Sequence, residues 1–230
     1  MHELDVSGKL DKASRAAVDA LAELARGSRL RYLKLDGEPP LPVGELKGEV
    51  HAPSGGITLS RRHLDDAAAV VIARCVRGNT SLASLALRCD LQALGAEAGA
   101  RLAAAVGASS IREIDLDGDV LQLDVLRGEE AAEHIELETA RLGSIASAVV
   151  AACLGANRLA SSLRVRTRDL SLTSCATLAE AVRGHPSLTS VELDGAALPV
   201  HQLSGLSPAA SLALQAREIS GRYKGDVGEM

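Results

Sequence analysis

Hydrophobic positions along the chain fall into two alternating patterns. Short runs with one residue, mostly polar, between two aliphatic ones recur as LDV at 4–6, LKL at 33–35, ITL at 57–59, LAL at 85–87 and IDL at 114–116. They continue as IEL at 135–137, LRV at 163–165, VEL at 191–193 and LAL at 212–214. Period-two alternation predicts strands with one apolar face. Between them lie stretches with helical spacing: 13–27, 65–78, 95–107, 144–155 and 173–184. Each is rich in Ala and ends at a glycine (Gly27, Gly78, Gly107, Gly155, Gly184), read here as a left-handed residue closing the helix. Three stretches carry no helical pattern. They read LDGEPPLPVGELKG (35–48), LDGDVLQLDVLRG (116–128) and LDGAALPVHQLSG (193–205), and are expected to be helix-free.

A second, longer period contains the first. The short stretches recur after 81 residues (Leu33 to Ile114) and 77 residues (Ile114 to Val191). Ala73, Cys75 and Asn79 reappear as Ala151, Cys153 and Asn157, each 78 residues on. The organising unit is therefore a long, long, short block, repeated by duplication. One domain over 1–230 is expected, with approximate units 1–29, 30–53, 54–81, 82–110, 111–132, 133–159, 160–187, 188–208 and 209–230. The phase of the block, with Leu4 near the start and a strand pattern close to Met230, predicts a slice of a longer array or ends covered by a partner.

Units of 28–29 residues with the pattern L-x-x-L-x-L, one strand and one helix, resemble the ribonuclease-inhibitor class of leucine-rich repeats. Long-long-short arrays with an LPVxxLxG element are also similar to leucine-rich repeat proteins predicted in unicellular algae. The resemblance implies an α/β right-handed solenoid (horseshoe), with a parallel sheet of about nine short strands on the concave face and about five helices on the convex face. The asparagine that often caps the strand turn in that class is absent: its position holds Glu38, Arg62, Asp90, Asp119, Ala140, Arg168, Ala196 and Arg217.

Composition then narrows the function. The chain has no Trp, no Phe and two Tyr, yet 47% of its residues are hydrophobic, so the core is aliphatic. A net charge of −5 and the lack of aromatic stacking platforms argue against nucleic acid. Charges arrive too often for a membrane span, and the N-terminus carries no signal-peptide pattern, so an intracellular, cytoplasmic setting is the default expectation. Four cysteines without CxxC or Cys/His spacing make a zinc site unexpected. No cofactor, metal or catalytic motif is found. Cys89, just past its strand, is the thiol singled out for a reactivity test.

In such an array the residues between the strand leucines face the concave surface. There Glu113, Asp115, Asp117, Glu136 and Glu138 are expected as an acidic patch on two adjacent strands, followed by Arg164 and Arg166, then Glu192 and Asp194. The functional reading is a non-enzymatic scaffold binding a protein partner with a basic patch. The competing reading is that cross-strand Glu/Arg pairs merely keep an open sheet soluble. Two further alternatives are a structural subunit joined end to end, and a GTPase regulator of the Ran GTPase-activating type, which shares the implied solenoid. Against the last, Asn79 and Asn157 follow helices rather than strands.

Overall fold

The L-x-L runs do form strands, and their leucines turn inward as alternation requires. A computed structural model describes residues 3–8, 14–35, 38–168 and 170–200. In chain order the elements are β1 (Glu3–Asp5), α1 (Arg15–Gly27), β2 (Tyr32–Lys34), α2 (Val43–Leu46), β3 (Gly56–His63), α3 (Asp66–Val76), β4 (Ser84–Asp90) and α4 (Ala96–Gly107). There follow β5 (Glu113–Leu116), β6 (Asp119–Gln122), α5 (Leu123–Arg127), β7 (His134–Thr139), α6 (Ser144–Leu154), β8 (Ser162–Thr167), α7 (Leu172–Arg183), β9 (Ser190–Leu193) and β10 (Ala196–Pro199). The ninth expected strand, at 212–214, lies outside the described residues.

The expected horseshoe with one nine-stranded parallel sheet is not what forms. The described strands make three small sheets, none curled: β1-β2, β3-β4-β5-β6 and β7-β8-β9-β10. Within each, the sequence repeat sets the parallel register, as in Leu85↔Ile114 and Leu163↔Val191. The break comes from the short units. Asp117 and Gly118 both have positive φ (57° and 99°), as do Asp194 and Gly195 (48° and 89°). Two positive-φ residues between paired strands make a type I′ hairpin, the turn that Asp-Gly favours. Hence β6 folds back antiparallel on β5, and β10 on β9. The returning strand fills β5's free edge, so β7 has no partner there. In the first short unit an antiparallel bridge joins Leu33 to Leu41, and two prolines (Pro39, Pro40) interrupt the return.

The short units are also not helix-free, since α2 and α5 each supply a turn of helix whose leucines are buried (Leu46, Leu126). Seven α-helices lie among the described residues, where about five were expected. The five long ones match their predicted spans closely, and three start at a side-chain cap: Ser14, Asp65 and Ser171. No described helix is long and apolar enough to cross a membrane.

Whereas the sheets are interrupted, the helices pack in an unbroken series: α1 on α3, α3 on α4, α4 on α6 and α6 on α7. Across the sheet break, α4 and α6 come close enough that a Cβ at Gly99 would lie 2.4 Å from Ile145 Cδ1, and one at Gly107 2.9 Å from Ala152 Cβ. Small residues permit that approach. Of the five helix-ending glycines, only Gly78 is left-handed. Gly155 and Gly184 stay right-handed, their N–H groups bonding Ala151 and Glu180 carbonyls.

One polar joint repeats with the block. Asn79, 2% exposed, donates Nδ2 to the carbonyls of Glu45 and Leu46 at 3.0 Å each. Its Oδ1 accepts from the amides of Ser81 (2.8 Å) and Leu82 (3.1 Å). Asn157 does the same to Val125 and Leu126 (3.2 and 3.1 Å) and to Leu159 and Ala160 (2.8 and 3.0 Å). Each asparagine staples the end of a long helix to the end of the preceding short one. Lacking an asparagine at that place, the other long units use Ser28, Ser109 and His185 to take the turn amides.

Candidate functional site: the polar face of the strands

Strand alternation places Glu136, Glu138 and Arg166 on the exposed face, while Ile135, Leu137, Leu163 and Val165 enter the core. The nine candidate residues do not form the patch expected of them. Glu113, Asp115 and Asp117 belong to the second sheet, Glu136 and Glu138 to the third, and β6 lies against β5 where β7 was expected. The acidic patch on two adjacent strands is therefore two separate groups.

The first group is largely used up by its own surroundings. Asp115 is only 9% exposed; it accepts from Arg88 Nη2 at 3.0 Å and from the Gly118 amide at 2.7 Å. That carboxylate closes the hairpin rather than facing a partner. Asp117 sits in the turn, and Glu113 accepts from Gln122 Nε2 at 3.0 Å. Asp119 accepts from the Ala140 amide at 2.9 Å, tying the hairpin to the chain after β7.

The third sheet holds the rest together. Arg164 Nη1 donates to Glu136 at 2.7 Å and its Nε to Glu192 at 2.9 Å, a row of opposite charges on three neighbouring strands. The bond to Glu192, its charge and then Glu136 raise the pKa of this guanidinium above its ordinary value. Asp194 lies in the β9–β10 turn, where Oδ1 accepts from the Thr167 amide at 2.8 Å. Arg166 stands opposite Glu138 in register, yet no ion pair joins them.

Beyond these, the strand ends enclose a cleft of about 390 Å³. Glu138, Arg166, Glu192 and Asp194 line it, and so do four residues not anticipated as functional, Thr139, Thr167, Arg168 and Gly195. Arg168 had a signal in the sequence: it continues the two-residue spacing of Arg164 and Arg166 to the position just past β8. Thr139 had none, because in the alternation it falls on the core side.

Thiol chemistry is unfavourable here. Cys89 is buried, and burial first, then the Asp117 charge, pushes its pKa up to about 11. Burial likewise raises Cys75 to about 12 and Cys153 to about 11. A thiol held protonated is a poor nucleophile at neutral pH. Among the described residues, no group of three or more His, Cys, Asp or Glu is placed to hold a metal ion. No protein-family model, curated protein or solved structure matches the chain.

Proposed function

We propose that this chain is a non-enzymatic interaction module that binds a protein partner through the polar face of its third sheet. The observation that carries the reading is the arrangement around Arg164: its two cross-strand ion pairs hold three strands' charges in fixed register beside Glu138 and Arg166, which are exposed and without ion pairs among the described residues. A preset charge pattern on a rigid sheet favours a partner of complementary pattern and selects against others. The resemblance of the repeated units to leucine-rich repeats supports the use of a strand face. It lends nothing to a horseshoe.

The partner-binding set accordingly centres on Glu136, Glu138, Arg164, Arg166 and Glu192, with Glu113, Asp115 and Asp117 serving the β5–β6 hairpin and Asp194 the β9–β10 turn. The side chains of Asn79 and Asn157 are consumed inside the fold, so neither is available to a partner such as a GTPase. The test is differential capture from native extract, comparing the wild-type chain with Glu138→Lys/Arg166→Glu. Asp115 is left intact because reversing a buried, twice-bonded carboxylate would damage the fold itself. Loss of a specific partner with unchanged circular dichroism is the expected result; identical capture by both proteins refutes this face.

A further inference from the structure

We infer that His185 is a pH-sensitive latch: its neutral ring closes the turn between α7 and β9, and a proton on that ring releases it. The latch stands without the reading of the third sheet as an interaction face. Only its consequence for a partner rests on that reading, because β9 carries Glu192, one of the two carboxylates held by Arg164.

The repeat itself isolates this residue. After each of the five long helices, a side-chain acceptor takes the amide of a buried aliphatic residue: Leu30, Leu82, Ile111, Ala160 and Leu188. In four of these turns the acceptor is a hydroxyl (Ser28, Ser109) or a carboxamide (Asn79, Asn157). None of those groups titrates near neutral pH. The fifth turn uses an imidazole, the side chain whose charge ordinarily changes between about pH 5 and 8. His185 is 9% exposed, whereas His51, His63 and His134 lie at the surface.

The hydrogen bonds fix which nitrogen is involved. Nδ1 accepts from the amides of Leu188 at 3.1 Å and Ser187 at 3.3 Å, so the neutral ring carries its proton on Nε2. A second proton has only Nδ1 to go to, where it takes the lone pair that both amides use. The Ser187 hydroxyl, 3.4 Å from Nδ1, donates to the Ala160 carbonyl and offers only a long contact in exchange. Nε2 is buried without an acceptor, so the cation gains no partner on that side either. Among the described residues, the charged group that faces the ring is Arg158, from the turn after α6, and its charge opposes protonation. Glu180 and Arg183 of α7 pair with each other, and Glu192 of β9 pairs with Arg164. Burial first, then Arg158, holds the pKa below the ordinary 6.5. The open turn therefore takes up the proton more readily than the closed one. Closure has its full strength above about 6.5 and weakens as pH falls below it.

The experiment follows the isotope-labelled full chain by nuclear magnetic resonance from about pH 8 to about pH 5, the range of histidine titration. The ring carbons of His185 should titrate below 6.5. The protection factor of the Leu188 amide, corrected for intrinsic exchange, should fall by up to ~10-fold per pH unit below that value, the limit for one coupled proton. The Ala160 amide, held in the same way by Asn157, should keep its protection and serves as the control. His185→Asn, which installs the residue found at 79 and 157, should preserve closure and abolish the pH dependence. Four outcomes overturn the latch: a ring titrating at or above 6.5, a Leu188 protection indifferent to pH, an equal loss at Ala160, or an unchanged pH dependence in His185→Asn. Comparing Leu188 with Ala160 in the wild-type chain decides the matter even where that variant does not fold. Partner capture at neutral and acid pH tests the consequence separately. Weaker capture in acid by the wild-type chain, but not by His185→Asn, is expected. Capture indifferent to acid, with the latch seen by exchange, refutes only its link to the binding face.

Discussion

Replacing Asn157 by alanine tests whether the repeated polar joint holds the block together. Four hydrogen bonds vanish: two donated to Val125 and Leu126, and two accepted from Leu159 and Ala160. The side chain is fully buried (0% exposed), so bulk water does not take over its role. One water fits the space vacated by a carboxamide and would find several partners. It satisfies about half of the four groups, leaving about two orphans at about 1–3 kcal/mol each. The expected loss is therefore about 3–4 kcal/mol, a large part of a stability on the order of 5–15 kcal/mol.

Gly128 sharpens the test. Its φ is +74°, and a Cβ would lie 2.9 Å from Asn157 Oδ1. Gly128→Ala should thus cost about 1 kcal/mol of backbone strain plus a similar or larger clash. In the Asn157→Ala background only the strain remains, so the double variant should lose about 1–2 kcal/mol less than the sum. Urea unfolding followed by far-ultraviolet circular dichroism is the assay, because a chain without Trp gives little fluorescence. Exchange of the Leu159 and Ala160 amides should accelerate in parallel. A loss below about 1 kcal/mol for Asn157→Ala, or strict additivity with Gly128→Ala, would refute the joint.

Three other expectations follow from the same geometry. Gly118→Ala introduces a Cβ at φ +99° with nothing within 4 Å, so it should cost only the conformational term of about 1 kcal/mol; a much larger loss in urea unfolding contradicts the turn assignment. The folded state holds the Cys75 thiol protonated up to about 12 against an ordinary value of 9.0, so it binds the more protons above that value. Stability should then fall as pH rises from about 9 to about 12, and fall less steeply in Cys75→Ala; alkylation of Cys75 and Cys89 at pH 8 should require unfolding, with the half-buried Cys175 reacting first. Thr139→Val, removing an orphaned hydroxyl, should leave stability unchanged or raise it by about 1 kcal/mol, whereas Ser174→Ala, which deletes a buried bond to the Leu142 carbonyl, should lower it by about 1–2 kcal/mol.

The local elements were legible because they follow from periodicity. Helices over 65–78 and 144–155 are Ala-rich with apolar spacing, and α3 and α6 appear there. The aliphatic strand residues Leu85, Leu87, Leu163 and Val165 are buried as their alternation demands. What periodicity does not carry is which strand edges remain free. Leu-Asp-Gly at 116–118 and 193–195 is the sequence signature of a tight hairpin, a local signal outside the repeat period. The 78-residue echo of Asn79 in Asn157 marked a structural role without revealing it, since an asparagine's partners 31–34 residues away are set by packing. Thr139 stayed hidden for a simpler reason: alternation assigns a threonine to the core without saying whether its hydroxyl finds an acceptor there.

The interrupted sheet and the divided acidic patch have one cause. Reading residues down columns assumes that every strand pairs with the next, so that Asp115 and Glu136 become neighbours. A hairpin that takes two residues to reverse the chain is enough to occupy β5's edge with β6. The two hairpins also occupy the carboxylates nearest to them: Asp115 closes its turn onto the Gly118 amide, while Asp119 ties the β5–β6 hairpin to Ala140 and Asp194 ties the β9–β10 turn to Thr167. Acidic residues are thus concentrated where a turn needs acceptors, and a charge count mistakes them for a surface. The block survives the interruption because the helices do not share it; α4 meets α6 directly through Gly99 and Gly107. Charges available to a partner are accordingly those two or more residues away from a turn on β7 and β8, together with the arginines that the turns leave unmatched.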